Sequence, residues 1–145
     1  MIAFLRKRYI DLGLLIIRVL AGFGIMTHGY SKLFEWGVSG FIDSVAGMGF
    51  PLPGFFGWAA ALSEFLGGIL LILGLGTRIA GFFIACTMFV AVVVRHAGES
   101  FGAREKALLY FTIATSLLAM GGGRYSLDYY LNRWRKTLRK EVKTS

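Results

Sequence analysis

The sequence predicts an all-α fold, namely an integral membrane four-helix bundle. Of its 145 residues, 56% are hydrophobic and only 17% are charged, with a mean hydropathy of +0.64. Such a composition is too apolar for a soluble domain of this length. Four mostly apolar stretches are each long enough to cross a bilayer. Basic residues gather at both ends of the chain, as they do in the cytoplasmic flanks of membrane proteins.

The four predicted spans are separated by polar or turn-forming segments, and they cover about residues 12–34, 55–75, 77–96 and 104–122. Pro51 and Pro53 precede the second span, where proline suits a loop that enters a helix. A hairpin of Gly74, Leu75 and Gly76 leads directly into the third span. Thr77 is predicted to cap that helix, and the second and third helices should be antiparallel neighbours.

The charge distribution predicts that both termini are cytoplasmic. Ten of the 16 Lys and Arg residues lie before the first span or after the last one. Residues 35–54, between the first two spans, contain two acids and no Lys or Arg, as expected on the outer face. The segment before the fourth span is mixed, because Arg95, Arg104 and Lys106 lie near it. The basic residues at the two ends outweigh this segment, so we expect a multi-pass protein of a bacterial-type cytoplasmic (inner) membrane.

Residues 1–126 are predicted to form the bundle, and residues 127–145 a basic amphipathic helix that lies in the membrane interface. The apolar residues of this tail recur at helical spacing among basic ones: Leu127, Tyr130, Leu131, Trp134 and Leu138 with Arg133, Arg135, Lys136, Arg139 and Lys140. Such helices are attracted to anionic lipid. A frayed basic tail is the alternative. Because the net charge of +8 is concentrated beside the spans, nucleic acid is not an expected partner.

Ionisable side chains inside the spans are candidates for function, because each costs free energy in the bilayer. On a helical wheel of the first span, Arg18, His28 and Lys32 share one face. Glu64 interrupts the second span near the bilayer midplane, and it is expected to pair with one of these three. A purely structural ion pair between Arg18 and Glu64 is the alternative to a functional role.

Together these residues predict a polar site in the outer half of the bundle, completed by residues at the end of the third span and the start of the fourth. The predicted cofactor-binding residues are Arg18, His28, Lys32, Glu64, His96 and Glu105, and the predicted catalytic residues are Glu64 and His28. A quinone, held by a hydrogen bond from a histidine, is the cofactor considered first. A haem between the two histidines is the alternative. No metal site is predicted, and Cys86 has no second cysteine to pair with.

The order and spacing of several short motifs resemble the DoxX family of small membrane proteins. The matching motifs are LIIR at 15–18, HGYSKL at 28–33, GFP at 49–51, SEFLGG at 63–68, GLGTR at 74–78 and GRYSLD at 123–128, with His96 and Glu105 between the last two. The resemblance implies a four-helix membrane bundle. It also implies an association with thiosulfate–quinone oxidoreduction and with membrane complexes that handle thiol or oxidative stress. Other relatives are non-enzymatic accessory proteins.

Three functions remain open at this point. The first is a component of a quinone- or thiosulfate/thiol-linked redox system, acting as a subunit of a quinone-linked oxidoreductase. The second is a non-enzymatic membrane scaffold or accessory subunit, whose basic tail docks on partners or anionic lipid. The third is a small transporter, which needs homo-oligomerisation because four helices leave little room for a pore. The expected partners are the lipid bilayer, protein subunits of a redox complex and further copies of this chain.

Overall fold

The computed structural model of the protein describes residues 2–144, and the side chains of residues 8–139. Throughout this described part the regular elements are helices, which confirms the all-α prediction. They are α1 (Ile2–Tyr30), α2 (Gly37–Gly47), α3 (Pro53–Leu73), α4 (Thr77–Val90), α5 (Phe101–Met120) and α6 (Leu127–Thr144). Two of them continue into one π-helical turn each: α1 into Ser31–Glu35 and α4 into Ala91–Arg95.

Three helical segments are long and apolar enough to cross a membrane: Arg8–Glu35, Pro53–Leu73 and Thr77–Arg95. They correspond to the first three predicted spans. The fourth predicted span forms α5, which has 20 residues but carries Arg104, Glu105 and Lys106 near its start. Three charged residues so close together lower the apolar character of this helix. The structure therefore provides three candidate spans and one further helix of comparable length.

The helices pack mainly as neighbours in the order α1, α3, α4, α5, and the short α2 lies against α3. The backbones of α1 and α3 approach each other most closely, and glycines permit this contact. A Cβ atom on Gly68 would lie 2.6 Å from the carbonyl oxygen of Gly22. Likewise, a Cβ atom on Gly81 of α4 would lie 2.9 Å from the carbonyl oxygen of Ala114 of α5. Small residues allow the close backbone packing on which helix association in lipid depends.

Large apolar side chains lie on the outside of this bundle as well as in its core. The exposed ones include Leu20, Phe23, Leu66, Ile79, Phe82, Phe83 and Phe89. Isolated apolar residues are common on soluble proteins, but a surface covered by them is not. Contact with lipid chains requires an apolar outer surface of this kind. The protein is accordingly a helical membrane protein.

The predicted hairpin between the second and third spans is confirmed. Gly74 and Gly76 have positive φ angles of 67° and 57°, and the Leu75 amide donates to the Leu70 carbonyl at 3.0 Å. Left-handed glycines of this kind end helices and turn the chain. The prediction that Thr77 caps α4 is wrong, because Thr77 is already the first residue of the helix. A carboxylate from the start of α6, that of Asp128, accepts hydrogen bonds there instead.

The segment at 35–54, expected as a loop, contains the helix α2. Its 11 residues span about 16 Å, which is too short to cross a bilayer. Val45 is buried, and Ile42 packs against Gly57 of α3. These two apolar residues, three positions apart, give α2 the one-sided pattern of a helix that lies on its neighbour.

The predicted C-terminal helix is present as α6. Its apolar face is exposed, and the large side chains on it are Leu127, Tyr130, Leu131, Trp134 and Leu138. Four of the five predicted basic positions, Arg133, Arg135, Lys136 and Arg139, are exposed as well. The side chain of Lys140 and residue Ser145 lie outside the described residues. The helix is amphipathic, and its apolar face is uncovered by the rest of the described chain.

Candidate functional site

Glu64 and Lys32 form an ion pair between α3 and the π-helical turn that follows α1. The Lys32 ammonium group donates to Oε1 of Glu64. Glu64 is fully buried, whereas the side chain of Lys32 is 19% exposed. Of the three partners predicted for Glu64, Lys32 is the one that the structure selects. The ends of α1 and α3 joined by this pair are called the Lys32 end of the bundle below.

The second oxygen of this carboxylate, Oε2 of Glu64, is buried and has no hydrogen-bond partner among the described residues. A buried acceptor of this kind is costly unless a ligand, a water molecule or a proton satisfies it. The Lys32 Nζ atom lies 4.6 Å from the centre of the Phe41 ring, so α2 covers the pair. The Lys32 ammonium group thus contacts both the Glu64 carboxylate and the face of the Phe41 ring, within one partly closed site.

His28 of α1 and Tyr110 of α5 form a second polar contact between helices of the bundle. Their rings pack edge to face, with centroids 5.8 Å apart and an interplanar angle of 84°. The Tyr110 hydroxyl lies against Gly24 of α1, where a larger side chain would collide with it. The structure therefore places a phenol against the predicted imidazole of His28, which lies four residues before Lys32 in the chain.

Tyr110 is the member of this site that sequence reasoning missed. It lies in the fourth predicted span, directly before Phe111. One signal could have found it, because Tyr110 is the only tyrosine within residues 104–122. A phenol inside a span usually needs a hydrogen-bond partner, whereas the phenylalanines around it do not.

The predicted residues His96 and Glu105 occupy different surroundings. The Nδ1 atom of His96 lies 2.7 Å from Oε2 of Glu99, in the segment between α4 and α5. Glu99 also accepts at its carbonyl from Arg104, at 2.7 Å from Nη2. Glu105 is exposed. His28 and His96 thus have different neighbours, and within the described chain no three His, Cys, Asp or Glu side chains converge as a metal site would require.

The hydrogen bond from His96 is the main reason why the pKa of Glu99 is lowered from its ordinary value. Desolvation opposes this shift, and the charges of His96, Arg95 and Arg104 lower the pKa further. This exposed cluster keeps Glu99 ionised to lower pH. It is a local feature of the connection between α4 and α5.

Arg18 lies at the opposite end of the α1 and α3 pair, called the Arg18 end below. Its guanidinium is buried, and it donates from Nη2 to the Tyr125 carbonyl at 2.7 Å and from Nη1 to the Ile72 carbonyl at 3.2 Å. The interpretation of Arg18 and Glu64 as an ion pair is therefore wrong. Because α1 and α3 are antiparallel, residue 18 lies opposite the end of α3 and Glu64 lies opposite Lys32.

The first residues of α6 complete the Arg18 end. Asp128 accepts from the backbone amides of Gly76, at 2.7 Å, and Thr77, at 2.9 Å. Its own amide donates to the Gly74 carbonyl at 2.9 Å. The Arg18 side chain fills the space beside Gly74, where a Cβ atom would collide with the guanidinium. These contacts connect α1, α3, α4 and α6 through the GLGTR and GRYSLD motifs.

The fold and this buried polar site define a class, that of small helical membrane proteins with charged groups inside the bundle. The profile of the DoxX family matches residues 13–97, which is more than half of the chain. A second profile, described as TQO small subunit DoxD, matches residues 57–144. The chain therefore belongs to the DoxX family, as its motifs indicated.

Two curated relatives match over most of their length. One is CatD of Bacillus subtilis strain 168, which carries a provisional name as an oxidoreductase. It is 33% identical over 128 residues, covering 87% of this chain and 92% of the relative. The other is the inner membrane protein YqjF of Escherichia coli strain K12, which is 29% identical over 132 residues, covering 88% of this chain and 98% of the relative. No solved structure matches the chain.

Proposed function

We propose that this protein is a component of a quinone-linked redox system in the bacterial cytoplasmic membrane, and that the site around Lys32 and Glu64 binds the quinone headgroup. The observation that carries the proposal is the buried Glu64 carboxylate, of which one oxygen is paired with Lys32 and the other has no described partner. The oxidoreductase name of CatD and the match to the TQO small subunit support it.

The residues present fit such a headgroup in either oxidation state. Lys32 can donate to a carbonyl oxygen, and the hydroxyl of Tyr110 or the imidazole of His28 can donate to another. Oε2 of Glu64 can accept from a quinol hydroxyl. A bound quinone would supply two-electron, two-proton chemistry, and Glu64 would hold and release one of the protons. The roles assigned are catalytic for Glu64 and His28, and binding for Lys32.

The proposal includes a topology of four spans with both termini in the cytoplasm. Helix α5 would be the fourth span, since 20 residues cover about 30 Å, the thickness of the hydrocarbon core. Arg104 and Lys106 would then extend to the interface. In this orientation the Lys32 end is the outer one, and α6 lies on the inner membrane surface with its apolar face toward lipid.

Extraction of bound lipophilic molecules tests the proposal. We would purify the protein from native membranes in mild detergent and quantify quinones by mass spectrometry. Near-stoichiometric quinone is expected in the wild type, with a strong loss in Glu64→Gln and Lys32→Met. Glu105→Gln is the matched control, because Glu105 is exposed, and it should retain the quinone. Phospholipid alone in a folded wild-type preparation would contradict the proposal.

A second candidate function is a non-enzymatic accessory subunit. The observation that favours it is the exposed apolar face of α6, on a helix fixed to the bundle by Asp128. In this case the deletion of Arg133 to Ser145 should abolish function while the bundle remains folded. The same deletion should leave a quinone-binding site at the Lys32 end unaffected, so the two functions predict different outcomes.

A further inference from the structure

A cavity of about 600 Å³ opens at the Arg18 end, far along the bundle from the proposed quinone site. It lies between the start of α4, the end of α5 and the start of α6. The side chains that matter most in its lining are Asp11, Arg78, Ile79, Arg124 and Asp128. The formal charges of its two arginines and two aspartates cancel, so anion binding here depends on which donors are left without an acceptor.

Both aspartates are engaged by the protein's own backbone. The two oxygens of Asp128 accept from the amides of Gly76 and Thr77. Oδ1 of Asp11 accepts from the Arg124 amide at 3.0 Å. Asp128 therefore has both oxygens occupied by backbone donors, whereas Oδ2 of Asp11 is buried and has no hydrogen-bond partner among the described residues.

The arginines keep donors free. Arg78 uses Nη1 for the Leu118 carbonyl, at 2.8 Å, and its Nε and Nη2 have no acceptor among the described residues. They lie beside Gly121, which has a positive φ of 77° and no side chain to block them. The Nε atom of Arg124 is 3.9 Å from Oδ2 of Asp11, which makes a long ion pair but not a hydrogen bond. The cavity thus presents two guanidinium groups with unused donors.

We propose that this cavity binds the phosphate group of an anionic phospholipid, with Arg78 and Arg124 as the residues that contact the phosphate. Guanidinium groups form bidentate, charge-assisted hydrogen bonds with phosphate oxygens. Basic pockets between helices at the membrane surface are typical sites for such headgroups. Ile79, next to Arg78, is 65% exposed and offers an apolar path for an acyl chain. The bound lipid would link α4 and α5 to α6.

A titration in uncharged detergent tests this site without the field of an anionic membrane. Short-chain phosphatidylglycerol would be added to the purified full-length protein, and bound lipid would be counted by native mass spectrometry. Phosphatidylcholine serves as the zwitterionic reference. Arg78→Gln and Arg124→Gln should each weaken phosphatidylglycerol binding by at least about fivefold, the effect of one arginine beside anionic lipid. The control Arg133→Gln, on α6 outside the cavity lining, should change it by less than about twofold.

Three results would overturn the proposal. An equal loss in Arg133→Gln would mean diffuse attraction to α6 rather than a site. Equal binding of phosphatidylcholine would remove the selectivity for anionic lipid. Competition by millimolar inorganic phosphate would identify a soluble phosphate as the ligand. If Arg78→Gln fails to fold, Arg124→Gln decides the matter, because the Arg124 side chain is 47% exposed and its loss opens no core cavity.

Discussion

Lys32 and Glu64 form an ion pair in which the carboxylate is completely buried and the ammonium group is only partly so. The lysine comes from a π-helical turn, closed by the Trp36 amide donating to the Ser31 carbonyl at 2.9 Å. Single π-helical turns within helices frequently occur at functional sites. The chain thus maintains a charged pair in an apolar bundle, a costly arrangement that suits a binding site.

Removal of Lys32 should destabilise the protein more than removal of both charges. Lys32→Met leaves the Glu64 carboxylate buried without a counter-charge, and we expect a loss of roughly 3 kcal/mol in the free energy of unfolding. Adding Glu64→Gln in the same chain should recover part of this loss. Reversible unfolding in mixed micelles measures both values, and strictly additive effects of the two substitutions would contradict a coupled pair.

The contact between α1 and α3 should not tolerate a methyl group at Gly68. Its Cβ atom would lie 2.6 Å from the Gly22 carbonyl oxygen, so the helices must separate, and Gly68→Ala should cost about 2 kcal/mol. Gly13→Ala on α1 is the control, since nothing lies within 4 Å of its Cβ position. The control should be neutral or slightly stabilising. Equal unfolding midpoints for the two variants would show that the contact is unimportant.

Asp128 should connect the stability of α4 to the position of α6. Asp128→Ala removes both acceptors at the start of α4, with an expected loss of about 2 kcal/mol in unfolding free energy. Trypsin should then cleave faster within α6, after Arg133. Asp43→Ala, an exposed acid on α2, is the matched control and should leave the cleavage rate unchanged. Unaltered proteolysis in Asp128→Ala would mean that other contacts hold α6.

The lowered pKa of Glu99 gives a prediction with a definite sign. The folded pKa lies below the unfolded one, mainly because of the hydrogen bond from His96. The contribution of Glu99 to stability is therefore complete above its unfolded pKa and is lost as pH falls through the folded pKa. His96→Ala should raise the pKa of Glu99 more than Arg95→Gln does. Carboxylate NMR titration measures both, and an unchanged Glu99 in His96→Ala would refute the assigned cause.

The helices were predictable because each depends on a local pattern. The Gly74 to Gly76 hairpin follows from the conformational freedom of glycine, and the amphipathic spacing from Leu127 to Leu138 reappears as α6. Helix α2 was missed because Gly37–Gly47 is short and lies among turn-forming residues. Thr77 was misassigned as a cap because its competitor, Asp128, is distant in the sequence.

The candidate site was predictable only in part. Glu64 was recognised as a buried acid in need of a cation, since an unpaired charge in the bilayer is costly. The helical wheel placed Arg18, His28 and Lys32 on one face, and it could not decide which of them Glu64 meets. Tyr110 was missed because its contact with His28 joins two helices that are not adjacent in sequence, although its being the only tyrosine of that span was a signal.

Hydropathy, glycine turns and motif spacing identify a helical membrane protein that resembles the DoxX family, because each of these signals acts over a few residues at a time. The pairing of Lys32 with Glu64, and the hydrogen bonds of Arg18 to carbonyls at the other end, depend instead on how the helices pack. The physical reason is the antiparallel register of α1 and α3. That register is fixed by the close approach of Gly22 and Gly68, a contact between residues far apart in the chain.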